Sequence, residues 1–215
     1  MARITSVATT LAWLQAAADD HLMRHQDHLP EALDLREHAP LFARVYQSAP
    51  PNTQIGFPIV LRDGRLTFIE ELAAHVRYGP FINGGRFIGT FHVHPPAPDG
   101  SSPPFFDPRD LAAALRSDNP GFIELLMAAD RLYALVRANP FLYIGANHVD
   151  RNPLLLQEQH AEMVHRRGSH SPSDPNYAEH YREASLYFFR RYGLALYEGG
   201  PAELLKRTVT PERPW

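Results

Sequence analysis

Two histidines stand one residue apart in the stretch GTFHVHPP, residues 89–96. The surrounding run RFIGTFHVH is rich in β-branched and aromatic residues and predicts a strand. On a strand, side chains two apart share a face, so His92 and His94 project side by side and two imidazoles can share one ion. A metal site needs a further ligand, and a catalytic one keeps a position open for water. The chain has no cysteine. That excludes thiolate ligands, disulfide scaffolds and cysteine nucleophiles, and leaves His and carboxylates to hold any metal.

Asp110 is the candidate third ligand. It lies in DPRDLAAALRS, where Asp107 is a natural N-cap, Pro108 fits the first helical position and Asp110 falls in the first turn. From there it can face back toward the strand end. Taken singly, each feature has a plainer reading: His-x-His occurs by chance, and an Asp at a helix start is a favourable charge at the positive end of the dipole. The weight lies in the combination of strand-end His-x-His-Pro, loop, and Asp-x-x-Asp opening a helix.

The pattern GTFHVHP…FDPRDL resembles the JAMM motif of the JAB/MPN family of zinc metalloproteases. That motif is an upstream Glu, then His-x-His-Pro, a short gap, and Ser-x-x-Asp at a helix start. The resemblance covers roughly residues 40–145. It implies a mixed α/β fold and hydrolysis of peptide or isopeptide bonds, often at the C-terminus of ubiquitin or a ubiquitin-like protein. It also implies Zn2+ held by His92, His94 and Asp110, with water in the fourth position. Zinc brings the pKa of such a water to about 7 and polarises the scissile carbonyl.

The chain departs from the pattern in several places. Val93 stands between the histidines, where Ser or Thr is common, and points to the opposite face. The gap from His94 to Asp107 is residues 95–106, longer than usual in the family, but loop length is cheap in closure entropy. Asp107 takes the Ser position, whose hydroxyl supports an oxyanion; a carboxylate there repels negative charge unless it caps the helix and turns away. Gln54, in NTQIGF, occupies the place of the general-base Glu. An amide can orient a water but cannot take its proton. Three explanations stand: an engineered Glu-to-Gln variant, a natural pseudoenzyme, or another base, with Glu70 or Glu71 the nearest candidates. The rival to an enzyme is a non-catalytic binding or scaffold module on the same fold, favoured by Gln54 and Asp107.

Other histidines compete. His21, His25 and His28 share a helical face, which is read as a polar surface. HAEMVH, residues 160–165, has its histidines five apart and not four, so it is not a zincin helix. LYFFRRYGLALY places aromatics and arginines together, but the formal net charge is -3 and the spacing suits core packing, so nucleic acid is not expected. There is no phosphate-binding glycine loop and no Gly-x-Ser-x-Gly elbow.

The elements that must position these residues follow from the periodicity. Residues 6–28 predict an amphipathic helix in a cytoplasmic protein and not a signal peptide; no apolar run suits a membrane span. QIGFPIVLRDGRLTFIEE reads as two strands turning at Asp63-Gly64. FIELLMAADRLYALVRA reads as a hairpin turning at Asp130-Arg131. NPLLLQEQHAEMVHRRG and NYAEHYREASLYFFRRYG read as helices ending at Gly. The expectation is α+β: a single domain over 1–215 with a mixed central sheet flanked by helices. Its core is about 40–145, with an N-terminal helical segment at 1–39 and a C-terminal helical extension at 146–215. The family resemblance implies the cytidine-deaminase-like sandwich.

Overall fold

A computed structural model describes residues 7–19, 28–73, 81–96, 102–116, 122–137 and 152–210. The architecture is α+β. One nine-stranded sheet carries five α-helices among the described residues. In chain order the elements are α1 (Val7–Asp19), β1 (Ala32–Leu33), α2 (Ala39–Ser48), β2 (Ile55–Arg62), β3 (Arg65–Phe68), β4 (Phe81–Ile82) and β5 (Gly85–His94). Then come α3 (Pro108–Arg116), β6 (Ile123–Ala128), β7 (Arg131–Arg137), α4 (Pro153–Arg166), α5 (Tyr177–Arg191), β8 (Leu194–Gly199) and β9 (Leu205–Val209). The strand order is β1-β9-β8-β7-β6-β5-β2-β3, with β4 paired to β5 off this path.

Every pairing is antiparallel except β5 with β6. Parallel neighbours need a crossover long enough to return the chain to the starting end of the sheet. The segment between His94 and Ile123 supplies it, with α3 inside it. That crossover sets the start of α3 against the C-terminal end of β5, where the histidines lie.

Local chemistry explains the turns. Asp63 and Gly64 both have positive φ (50° and 69°), the pattern of a two-residue hairpin turn. The β6–β7 hairpin turns at Ala129-Asp130, with φ of 47° and 60°, one residue before the expected position. Arg131 therefore opens β7, paired with Ala128. Gly193 (φ 69°) follows α5 and lets the chain reverse into β8.

The sheet separates two apolar layers. On one face, α1 and α2, the latter through Phe42, pack over Phe91, Val93, Leu125 and Tyr197. On the other, α3, α4 and α5, the last through Phe188 and Phe189, pack over Leu126, Leu135, Phe105 and Phe106. A bulge in β5 decides which face the histidines take. Ile59 pairs with Gly89 but Val60 with Phe87, leaving Ile88 as the extra residue. The alternation resets there, so Phe87 and the later His92 both face the α3 side. Gly89 is required at this point: a Cβ would stand 1.8 Å from the Ile123 carbonyl oxygen of β6.

The terminal segments are not purely helical. Beyond α4 and α5, the chain returns to the sheet as β8 and β9, and β1 from the N-terminal segment pairs with β9. The sheet therefore extends past the expected core on its β7 side. The helix expected over residues 6–28 is seen from Val7 to Asp19; residues 20–27 lie outside the described residues.

Candidate metal centre

His92 and His94 stand adjacent on β5, their ring centroids 5.0 Å apart. Asp110 meets them from the first turn of α3, and the helix start fixes its position. The Asp107 carboxylate accepts hydrogen bonds from the backbone N–H of Arg109 (2.6 Å) and Asp110 (3.0 Å). In return Asp110 Oδ2 accepts from the Asp107 N–H at 2.8 Å. This is a reciprocal cap with aspartate in both roles. It leaves Asp110 Oδ1 3.2 Å from His92 Nε2 and Oδ2 3.8 Å from His94 Nε2. One ligand atom from each of the three residues lies within 4.8 Å of the others. All three side chains are buried, and no other such His/carboxylate group occurs among the described residues.

The outer nitrogen of each ring faces an oxygen acceptor. His94 Nδ1 lies 3.1 Å from the Pro103 carbonyl, to which it donates, so its proton sits on Nδ1 and its Nε2 lone pair faces inward. His92 Nδ1 lies 2.9 Å from Glu124 Oε1 on β6. Glu124 Oε2 in turn accepts from the Thr90 hydroxyl at 2.6 Å. Metal-binding histidines are held in this way, the second nitrogen tied to a carbonyl or carboxylate.

Burial and charge set the protonation states. Desolvation holds His94 down to about 4, so its imidazole is neutral. Desolvation acts on His92 in the same direction, but the flanking carboxylates of Asp110 and Glu124 outweigh it and raise His92 well above the usual range. Burial would raise Asp110, yet the two histidines and the Asp107 N–H bring it down to about 2. Burial, with Asp110 beside it, pushes Asp107 up to about 6.

The positions singled out in the sequence divide clearly. Gln54 lies at the site: its amide NH2 stands 3.0 Å from His94 Nε2, and its side chain reaches the exterior just before β2. Asp107 touches the site through the helix cap and not through the histidines. Glu70 is paired with Arg44 of α2 at 2.8 Å, and Glu71 is exposed. His28 is exposed, while His21 and His25 lie outside the described residues. In HAEMVH the histidines diverge. His160 is buried against Ser185 and Tyr181, whereas exposed His165 meets His170.

Two residues escaped the sequence reading, Glu124 and Thr90. The available signal was a single carboxylate inside the apolar run FIELLMA, because a buried charge requires a partner. Next to the site, a cleft of about 620 Å3 runs between the start of α3 and the C-terminal helices, lined by Pro103, Asp107, Arg109, His165 and Tyr181 among others. That volume is within the range of small-molecule or short-peptide sites.

Comparison with family models, curated proteins and solved structures finds no match to this chain. No helix among the described residues is long and apolar enough to cross a membrane.

Proposed function

We propose that this chain is a JAMM-type metal-centre protein. In that reading, His92, His94 and Asp110 hold Zn2+, and the site is shaped for hydrolysis of peptide or isopeptide bonds of a ubiquitin-like protein. The observation that carries the metal reading is the orientation of the two rings. Each has its Nδ1 tied outward, and each turns Nε2 toward the same carboxylate. Two imidazoles and one carboxylate form a common zinc ligand set that leaves a position open. Zinc bound there would lower the pKa of a water and polarise a carbonyl.

The chain's own residues then divide the work. Asp107 holds the start of α3, and so Asp110, in place. Gln54, beside His94 at the outer edge of the site, can orient a water or a substrate carbonyl by hydrogen bonding. It has no basicity to accept a proton. The cleft of about 620 Å3 beside Asp107 offers a route by which an extended peptide tail would approach.

The second reading is a binding or scaffold module that keeps the metal site without cleavage, and Gln54 is the observation that favours it. One experiment separates them. Zinc content is measured for the chain and for His92→Ala, and cleavage of a ubiquitin-like fusion is measured for the chain and for Gln54→Glu. Zinc lost in His92→Ala and cleavage gained in Gln54→Glu support the hydrolase. Zinc lost in His92→Ala with no cleavage by Gln54→Glu supports the scaffold. Zinc content unchanged in His92→Ala overturns both.

A further inference from the structure

Glu124 is a carboxylate in the middle of a strand that has no exposed residue. All six positions of β6 are buried, and Glu124 itself is 3% exposed. A carboxylate in such a place is costly unless it is paired and hydrogen-bonded. Both of its oxygens have a close polar partner: Oε2 accepts from the Thr90 hydroxyl, and Oε1 lies 2.9 Å from His92 Nδ1 in an ion pair. The parallel register of β5 and β6 produces this arrangement. It sets Thr90 directly beside Glu124, and His92 follows Thr90 on the same face of β5.

The result is a buried series from Thr90 to Glu124 to His92 to Asp110. His92 is the only member of the triad held by a carboxylate on its outer side; His94 is held by a carbonyl. A carboxylate on the far nitrogen of a ligating imidazole fixes its tautomer and ring orientation and raises its basicity. Core packing alone would be served better by an apolar residue, since replacing a buried polar pair with apolar groups is often neutral or stabilising.

We propose that Glu124 is a positioning residue of the metal centre. It holds His92 with its proton on Nδ1 so that Nε2 is presented to the ion, and Thr90 in turn holds Glu124. The proposal rests on reading the triad as a metal centre. Glu124→Gln tests it, because the amide keeps the shape and an acceptor oxygen while removing the charge. Zinc affinity, read by competition with a chromophoric chelator, is expected to fall about tenfold, at the lower end of the range for such partners. Thr90→Val is expected to cause a smaller loss in the same direction. In the zinc-loaded protein the His92 Nδ1–H resonance should move upfield in Glu124→Gln, a change that a purely structural role would not produce.

An unchanged zinc affinity in Glu124→Gln, beside a His92→Ala that does lose zinc, overturns the role of Glu124 and leaves the metal centre standing. Zinc content unchanged in His92→Ala removes the metal centre itself, and this proposal with it. Should Glu124→Gln be too unstable to purify, Thr90→Val carries the same comparison. An unaltered affinity and an unaltered Nδ1–H signal in that variant overturn the proposal as well.

Discussion

The side-chain amide of Gln54 donates to His94 Nε2 across 3.0 Å, the same nitrogen that faces Asp110. The residue at position 54 is therefore in direct contact with the candidate ligand set. Glutamate there would bring a proton acceptor to the position where the chain now has an amide. On the proposed hydrolase reading, Gln54→Glu is expected to raise the cleavage rate of a ubiquitin-like fusion by about 10²- to 10⁴-fold, the usual contribution of a positioned general base. The gain should disappear on the acid side of the new carboxylate's pKa, giving an acidic limb in the rate profile. Gln54→Ala should retain zinc, because Gln54 is not one of the three proposed ligands. Loss of zinc in Gln54→Ala would show that this assignment of ligands is incomplete.

The protonation states of the two histidines make a distinct prediction for metal binding. His94 is held at about 4 by burial, so above pH 5 no proton need leave it. His92 is raised by Asp110 and Glu124 against its burial, so a proton must leave its Nε2 before that nitrogen can bind an ion. Metal ligands must be deprotonated, so protons compete with the metal. Apparent zinc affinity should thus rise with pH, by about tenfold per unit between pH 5 and 6.5, since one proton competes. Competition titrations at several pH values provide the check. A rise nearer a hundredfold per unit would mean that both rings start out protonated, contrary to the burial of His94.

Gly89 is the point at which the strand geometry and the site depend on one another. A Cβ there would meet the Ile123 carbonyl oxygen at 1.8 Å, which no rotamer can relieve because the obstacle is backbone. Gly89→Ala must push β5 from β6 or undo the bulge. The expected cost is about 3 kcal/mol, the upper part of the range for overpacking. Zinc affinity should fall with it, because the β5–β6 register brings Glu124 to His92. Chemical denaturation and the chelator assay check the two effects. A stable Gly89→Ala protein with full zinc affinity would contradict the close approach.

Local rules make part of this site legible in the sequence. The i, i+2 spacing places His92 and His94 on one face, and the helix-start chemistry of Asp107 and Pro108 places Asp110; the structure brings all three together. The hairpin at Asp63-Gly64 is equally local, because its two positive φ angles suit those residues. Glu124 is not legible in this way. Its partnership depends on β6 lying parallel beside β5, and that pairing follows from a crossover of nearly thirty residues, residues 95–122, and not from any short period. The terminal strands are hidden for another reason. Leu194, Ala195, Leu196 and Tyr197 are all buried, so β8 shows no polar alternation, and β1 is only two residues long. Ala129 also misleads: alanine rarely takes positive φ, so the β6–β7 turn falls one residue before the position that Asp130 suggests.

His160 lies outside the candidate metal centre and predicts a pH dependence of stability. Its ring packs 4.4 Å from that of Tyr181, and its Nε2–H donates to the Ser185 hydroxyl at 2.9 Å. Ser185 donates onward to a backbone carbonyl, that of Phe106 or Tyr181. Burial lowers the His160 pKa from 6.5 to about 4, so the folded protein keeps it neutral where the unfolded chain would protonate it. Between those two values the unfolded state binds more protons, so stability rises with pH across the window and is lost as pH falls from 6.5 toward 4. The full shift corresponds to at most about 3 kcal/mol. His160→Phe removes the titrating group while keeping an aromatic ring beside Tyr181 and Phe188. It should be less stable than the parent at pH 7, having left Ser185 without its donor, by about 1 kcal/mol. Its stability should fall less between pH 6.5 and 4 than the parent's does, so that the two urea-denaturation curves converge on acidification. Parallel pH dependences in the two proteins would place the acid sensitivity elsewhere in the fold.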